Sequence, residues 1–139
     1  MVVNVNVKQL GKRRNAVKET PFEFEIEPKT VRELIEETVR ICLKSYKKRV
    51  EEIGDYKPLE KEEMQDMSEV GKIAFGIFGG GEAPSEKKAV ETAITAFEDG
   101  LYRIFLNEEE LEELEQEVRL TQKASLTFVR LTMLSGRLW

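Results

Sequence analysis

Three stretches of this 139-residue sequence carry residue types that do chemistry. The first is FGIFGGGEAPSEKKA, beginning at Phe75. A glycine-rich loop ahead of a helix N-terminus is the ground plan of a phosphate cradle. A P-loop, however, needs Gly-Lys-Ser/Thr directly after its glycines, whereas Gly81 is followed by Glu82, a charge that repels phosphate. The loop Gly79–Gly81 therefore reads better as a connector. The second stretch gathers Lys8, Lys12, Arg13, Arg14 and Lys18 in a chain of net charge −5. It is either a docking tip for an acidic partner or a solvated loop. The third is the terminal Arg137, Leu138 and Trp139, a cation, an aliphatic and an aromatic beyond the last apolar run. Arg and Trp are enriched at interface hot spots. Leu138 and Trp139 either meet a partner or fold back over the chain's own core. Lys12, Arg13, Arg14, Arg137, Leu138 and Trp139 are the candidate partner-binding residues.

Catalysis is constrained by what is missing. The chain has no histidine and one cysteine, Cys42. The commonest general base and metal ligand is absent, a Cys/His zinc site cannot be assembled, and Ser-His-Asp and Cys-His mechanisms are excluded. Cys42 falls on the apolar stripe of a predicted helix, where a cysteine acts as a small hydrophobe. The acidic run Glu108–Glu117 offers oxygens to a divalent cation, but lacks the Asp/Asn and glycine spacing of a calcium loop. It fits a charged edge that resists strand pairing. The expectation is no catalytic residue, no metal and no cofactor. Net negative charge disfavours nucleic acid and anionic membranes. No apolar run approaches the roughly 20 residues of a spanning helix, and MVVNVNVKQL lacks the features of a leader. With one cysteine no internal disulfide forms, and a reducing cytoplasm is expected.

The elements that must position these groups are read from periodicity. Val3, Val5 and Val7 alternate with polar residues, predicting a half-buried strand. QLGKRRNAVKET reads as a loop. PFEFEIEP predicts a second strand with Phe22, Phe24 and Ile26 inward, bracketed by Pro21 and Pro28. Thr30 and Glu33 form a capping-box pattern, so a helix begins at Val31. Its apolar stripe is Leu34, Ile35, Val39, Cys42, Tyr46, Val50 and Ile53, and Gly54 ends it. Glu36, Glu37, Arg40, Lys44, Lys47 and Lys48 form its solvated face. Met64, Met67 and Val70 suggest a short helix, and KIAFGIF a strand or extended link. Ser85 caps a helix running through Phe97, with Ala89, Val90, Ala93, Ile94 and Phe97 on one face and Gly100 as its end. LYRIFLN is a strand, Asn107 starts a turn, and the acidic run closes a hairpin with one helical turn. VRL at Val118 is a short strand and TQKAS a turn. LTFVRLTML has apolar residues on both faces: Leu126 and Phe128 on one, Val129, Leu131 and Met133 on the other. It is expected at the sheet's centre.

The order of hairpin, helix and YRIFLNEEEL…VRLTQKASLTFVRLTMLSG resembles the β-grasp (ubiquitin-like) superfamily. Within it, the order resembles the sulfur carriers of thiamine and molybdopterin biosynthesis. The resemblance implies a final central strand emptying into a Gly-Gly tail, whose carboxylate is adenylated and converted to a thiocarboxylate. Here Ser135 and Gly136 stand where the pair belongs, and Arg137, Leu138 and Trp139 follow. Carrier chemistry would therefore need processing near Gly136. The fold expected is α+β: one domain over residues 1–139, with a β-grasp-like mixed sheet and packed helix from about 2–54 and 101–136, and a mostly helical insertion over about 55–100. The function expected is a cytoplasmic, non-enzymatic protein-interaction module or accessory subunit, with a sulfur-carrier relative as the alternative. A protein partner is expected, and the insertion offers a route to a homo-oligomer.

Overall fold

The computed structural model describes residues 2–10, 17–51, 70–76 and 84–131. Over these the chain forms β1 (Val2–Leu10), β2 (Val17–Glu23), α1 (Val31–Glu51), one π-helical turn (Gly71–Phe75), α2 (Glu86–Glu98), β3 (Tyr102–Leu106), β4 (Glu109–Leu111) and β5 (Ser125–Leu131). The fold is α+β. Five strands make a mixed sheet in the order β2-β1-β5-β3-β4, compatible with a β-grasp-like plan.

Alternation decides which face each strand buries. Val3, Val5 and Val7 are fully buried, as are Phe22, Ile104, Leu126 and Phe128. The register aligns them across strands. Val5 lies opposite both Thr20 and Leu126. Phe128 lies between Val7 and Ile104, and Ile104 opposite Leu111. β5 is central, parallel to β1 and antiparallel to β3, as its apolar run predicts. Among the described residues its buried face is that of Leu126 and Phe128: Thr127 and Val129 point to the other and stay half-exposed, while the side chains of Leu131 and Met133 lie outside the described residues. Both described helices lie on one side of the sheet.

The second strand is shifted from its expected place. Phe22 and Phe24 are buried, but pairing stops at Glu23 and Ile26 is 64% exposed. Val17–Thr20, read as loop, belong to β2 instead. Pro21 sits within this edge strand, where a missing N–H is tolerated.

α1 begins at Val31 as the capping pattern predicts. Thr30 Oγ1 accepts from Glu33 N at 3.2 Å, and Glu33 Oε1 accepts from Lys29 N at 2.9 Å. Two more first-turn amides find distant acceptors: Val31 N donates to Gln116 O (3.0 Å) and Arg32 N to Leu114 O (2.9 Å). These bonds explain why Val118–Leu120 is no strand. Its neighbourhood pairs with the start of α1, through the Thr30–Glu117 bridge and Val118 N to Lys29 O (2.9 Å), while Val118 and Leu120 are buried beneath.

The described residues 70–76 and 84–100 pack onto the core. Ser85 Oγ accepts from Lys88 N at 3.1 Å and caps α2, which buries Ala89, Ala93 and Ala96 and closes at Gly100, φ 75°. Small side chains at this spacing let α2 lie close along α1. KIAFGIF, read as strand or link, forms the π-helical turn through Phe75. Phe75 wedges edge-on against Tyr102 (5.3 Å) and Phe128 (5.4 Å), and Tyr102 Oη donates to Ala93 O at 2.8 Å. Sheet, turn and α2 are thereby tied at one aromatic cluster. Val50, Ile53, Gly54, Met64 and Met67 lie outside the described residues or side chains.

The two faces of β5 predict opposite mutational costs. Phe128→Ala should lower unfolding free energy by about 3–5 kcal/mol, and Val129→Ala by about 1 kcal/mol or less. Denaturant melts of the two variants measure the difference, and equal losses would mean that the outer face is covered after all.

Candidate functional site

The predicted partner-binding residues Lys12, Arg13, Arg14, Arg137, Leu138 and Trp139 lie outside the described residues, as do Ser135, Gly136 and the Gly79–Gly81 loop. What is fixed is where the flanking strands end. β1 and β5 run parallel, and their last residues, Leu10 and Leu131, are register partners. Neighbouring strands lie roughly 5 Å apart. The basic stretch and the terminal stretch therefore continue from adjacent points at one end of the sheet, although about 120 residues separate them in sequence. The same end holds Arg130, opposite Tyr102 at the start of β3.

A second cluster was missed. Glu37, assigned to the solvated face of α1, is 8% exposed and ion-paired with Arg40. Arg40 Nε also reaches Glu86 Oε2 at 2.8 Å, joining α1 to the first turn of α2. Since Arg32 and Glu98 line a common recess at the other end, the two helices run antiparallel. The Glu86 hydrogen bond is the main cause raising the Arg40 pKa above its ordinary value. A cation held between two carboxylates is a structural pin rather than a proton donor. The i, i+3 spacing of Glu37 and Arg40 is visible in sequence; the part of Glu86 is not, because it is 46 residues away. Beside the pin runs a groove of about 520 Å³ with Ile41 and Leu43 in its lining and Lys44 near Glu25 at 4.0 Å.

Ser85 and Glu86 bear on the phosphate-cradle reading. The cap hydroxyl takes one first-turn amide of α2 and Glu86 brings negative charge to the same turn, so this helix start is poorly suited to an anion. The acidic run behaves as an edge: Glu109–Leu111 form the short outer strand β4, and Glu110 lies 3.9 Å from Arg103. It has no helical turn over Glu109–Leu111, because pairing to β3 overrides helix propensity there. Among the described residues no cluster of three His, Cys, Asp or Glu is placed to hold a metal ion, and no helix is long and apolar enough to cross a membrane.

With the fold class defined as α+β with a mixed five-stranded sheet, comparison with known proteins adds no family. No protein family, no curated protein and no solved structure matches this chain.

Cys42 is fully buried, as its stripe position implies, and burial pushes its thiol pKa far up, partly offset by a hydrogen bond from the backbone of Gly71. Burial also raises the Tyr102 phenol well above its ordinary value, the nearby Arg130 charge opposing. Each group holds its proton more tightly folded than unfolded. The stabilisation is therefore complete below the unfolded value, near pH 9 for the thiol and 10 for the phenol, and drains away above it. Denaturant midpoints should hold steady from pH 7 to 8 and fall from about pH 9 upward. Cys42→Ala should flatten the first part of that fall relative to wild type, and Tyr102→Phe the second. A thiol reagent at neutral pH should label Cys42 only as fast as the native protein opens; rapid labelling would show an accessible thiol.

Proposed function

We propose that this chain is a non-enzymatic protein-interaction module, an accessory subunit of β-grasp-like (ubiquitin-like) build working in the reducing cytoplasm. Its partner surface lies at the sheet end where β1 and β5 finish. The observation that carries the reading is the Leu10–Leu131 pairing. It sets the last residues of β1 and β5 side by side, and the sequence that follows them holds Lys12, Arg13 and Arg14 in one case and Arg137, Leu138 and Trp139 in the other. A cationic loop beside an aromatic, aliphatic and cationic terminus suits a protein partner with an acidic rim around an apolar pocket. Two tagged baits test it, the full chain and a chain ending at Ser135, each with and without Arg13→Glu and Arg14→Glu. The expected result is a partner held by the full-length bait and weakened by either change. Its equal capture by all four baits would remove this end of the sheet from the interface.

A second reading is favoured by the strand order β2-β1-β5-β3-β4, which suits a sulfur-carrier relative. In it the chain is trimmed near Gly136, and the exposed glycine carboxylate is activated. Only glycine lacks the Cβ that obstructs a narrow activating channel, so Ser135 weighs against it. Intact mass of the protein from its native host decides. A species ending at Gly136, with or without one added sulfur, is required by this reading, and a full-length mass alone rejects it.

A further inference from the structure

Arg130 is an inward-facing cation at the end of a strand whose other inward residues, Leu126 and Phe128, are core. It is half-buried, and its Nη1 donates to Ala74 O of the π-helical turn at 3.0 Å. A guanidinium carries five N–H donors. Among the described residues no carboxylate comes within salt-bridge distance of it, and Ala74 O is its one hydrogen-bond acceptor. Burying a charge is costly unless it is paired, and among the described residues this one has no counter-ion. A recess of about 460 Å³ lies between Arg130, Gly76 and α2.

The walls of this recess are suited to a ligand. α2 lines it with Lys88, Thr92, Thr95 and Asp99, at i, i+4, i+7 and i+11, one continuous stripe along the helix and its cap. Two of these bear hydroxyls and one a mobile cation. Opposite, Gly76 at φ 75° presents bare backbone beside the guanidinium: a Cβ there would stand 3.9 Å from Nη2, on a backbone conformation strained for any L side chain. Phe75, Ala96 and Leu101 add apolar surface for the body of a small molecule.

We infer that this recess binds a carboxylate group, anchored on the free donors of Arg130 and assisted by Lys88 and the Thr92 and Thr95 hydroxyls. Arg matches a planar carboxylate through two parallel hydrogen bonds. The lining's other charges select against phosphates. Glu91 and Asp99 balance Lys88 and Arg130, so the lining has no net charge to offset the larger desolvation cost of a multiply charged phosphate, and a singly charged carboxylate suits it better. The carboxylate comes either from a free small acid or from the C-terminus of a peptide. The inference stands apart from the docking proposal, since it uses neither the basic loop nor the terminal residues.

An NMR titration of the 15N-labelled full-length chain tests it with three probes: propionate, N-acetyl-Gly-Ala with a free C-terminus, and the same peptide amidated. A carboxylate probe should produce saturable shifts at the Gly76, Thr92 and Thr95 amides and the Arg130 side-chain N–H, and the amide should not. Tighter binding of propionate or of the free-ended peptide distinguishes the two sources. Arg130→Gln should weaken binding by about tenfold or more. Because that change also releases Ala74 O, Lys88→Gln, at an exposed position, serves as the second variant: it should weaken binding several-fold and leave the melting temperature unchanged. Linear shifts with both carboxylate probes, equal binding of the amide, tighter binding of inorganic phosphate, or indifference to Lys88→Gln would each overturn the assignment.

Discussion

The pairing of β1 with β5 is the interaction on which the rest depends. These strands come from opposite ends of the sequence, yet they fill the sheet's middle in parallel register from Asn4–Ser125 to Leu10–Leu131. Parallel neighbours need a crossover, and here nearly the whole chain is that crossover. β3 hangs on β5 and β4 on β3, so half the sheet has no place until residues 125–131 arrive. The cost of closing so long a loop grows only slowly with length, but it must be met before the contacts exist, which makes such pairings slow to form. What offsets it is the row of fully buried side chains in register across the sheet, with Phe128 between Val7 and Ile104.

That central seam also fixes the helical layer. β5 carries Phe128 into an aromatic group with Tyr102 and Phe75, and Tyr102 in turn bonds the carbonyl of Ala93 on α2. α2 is thereby joined to the sheet through Tyr102 and to α1 through Glu37, Arg40 and Glu86. At the other end of α1, the stretch between β4 and β5 supplies two carbonyls to the helix's first amides. An α-helix leaves four such amides without internal partners. Here the chain satisfies them with Thr30 and with backbone carbonyls from Leu114 and Gln116. This start of a helix is closed to an anion.

What the sequence reveals follows from the range of each interaction. The Val3, Val5 and Val7 alternation of β1, the Thr30–Glu33 cap, the Ser85 cap, the Asn107 turn and Gly100 are settled within a few residues, and these appear where the pattern puts them. Ile26 continues an alternating pattern past Glu23, the last residue of β2 paired with β1, so the pattern persists and the strand does not. Glu37 looks solvated because nothing local announces that α2 will lie beside it with Glu86. The Val118–Leu120 run is apolar because it is buried, but its backbone bonds go to Lys29 and its neighbours rather than to a strand. Gly71–Phe75 shows how an apolar link can become a helical turn once Phe75 has an aromatic pocket and Arg130 an available carbonyl. The candidate site follows the same rule. Its residue types are legible, while the meeting of the strand ends that lead into them, Leu10 and Leu131, is a property of β1–β5 pairing alone.

The same sheet limits how a partner could be held. Strand addition needs a free, regular edge, and neither edge here is good. β2 carries Pro21 midway, and β4 is three residues long and rich in glutamate. The face away from the helices is mostly polar, with the Asn6 and Thr127 side chains bonded to each other at 3.2 Å and Arg103 near Glu110. Hydrogen-bonding groups that already satisfy one another gain little from a new neighbour. Edges blunted and face self-paired, the sheet leaves its ends as the surfaces with most to offer. Of these, the end at Leu10 and Leu131 is the one whose strands lead on into cationic and aromatic sequence.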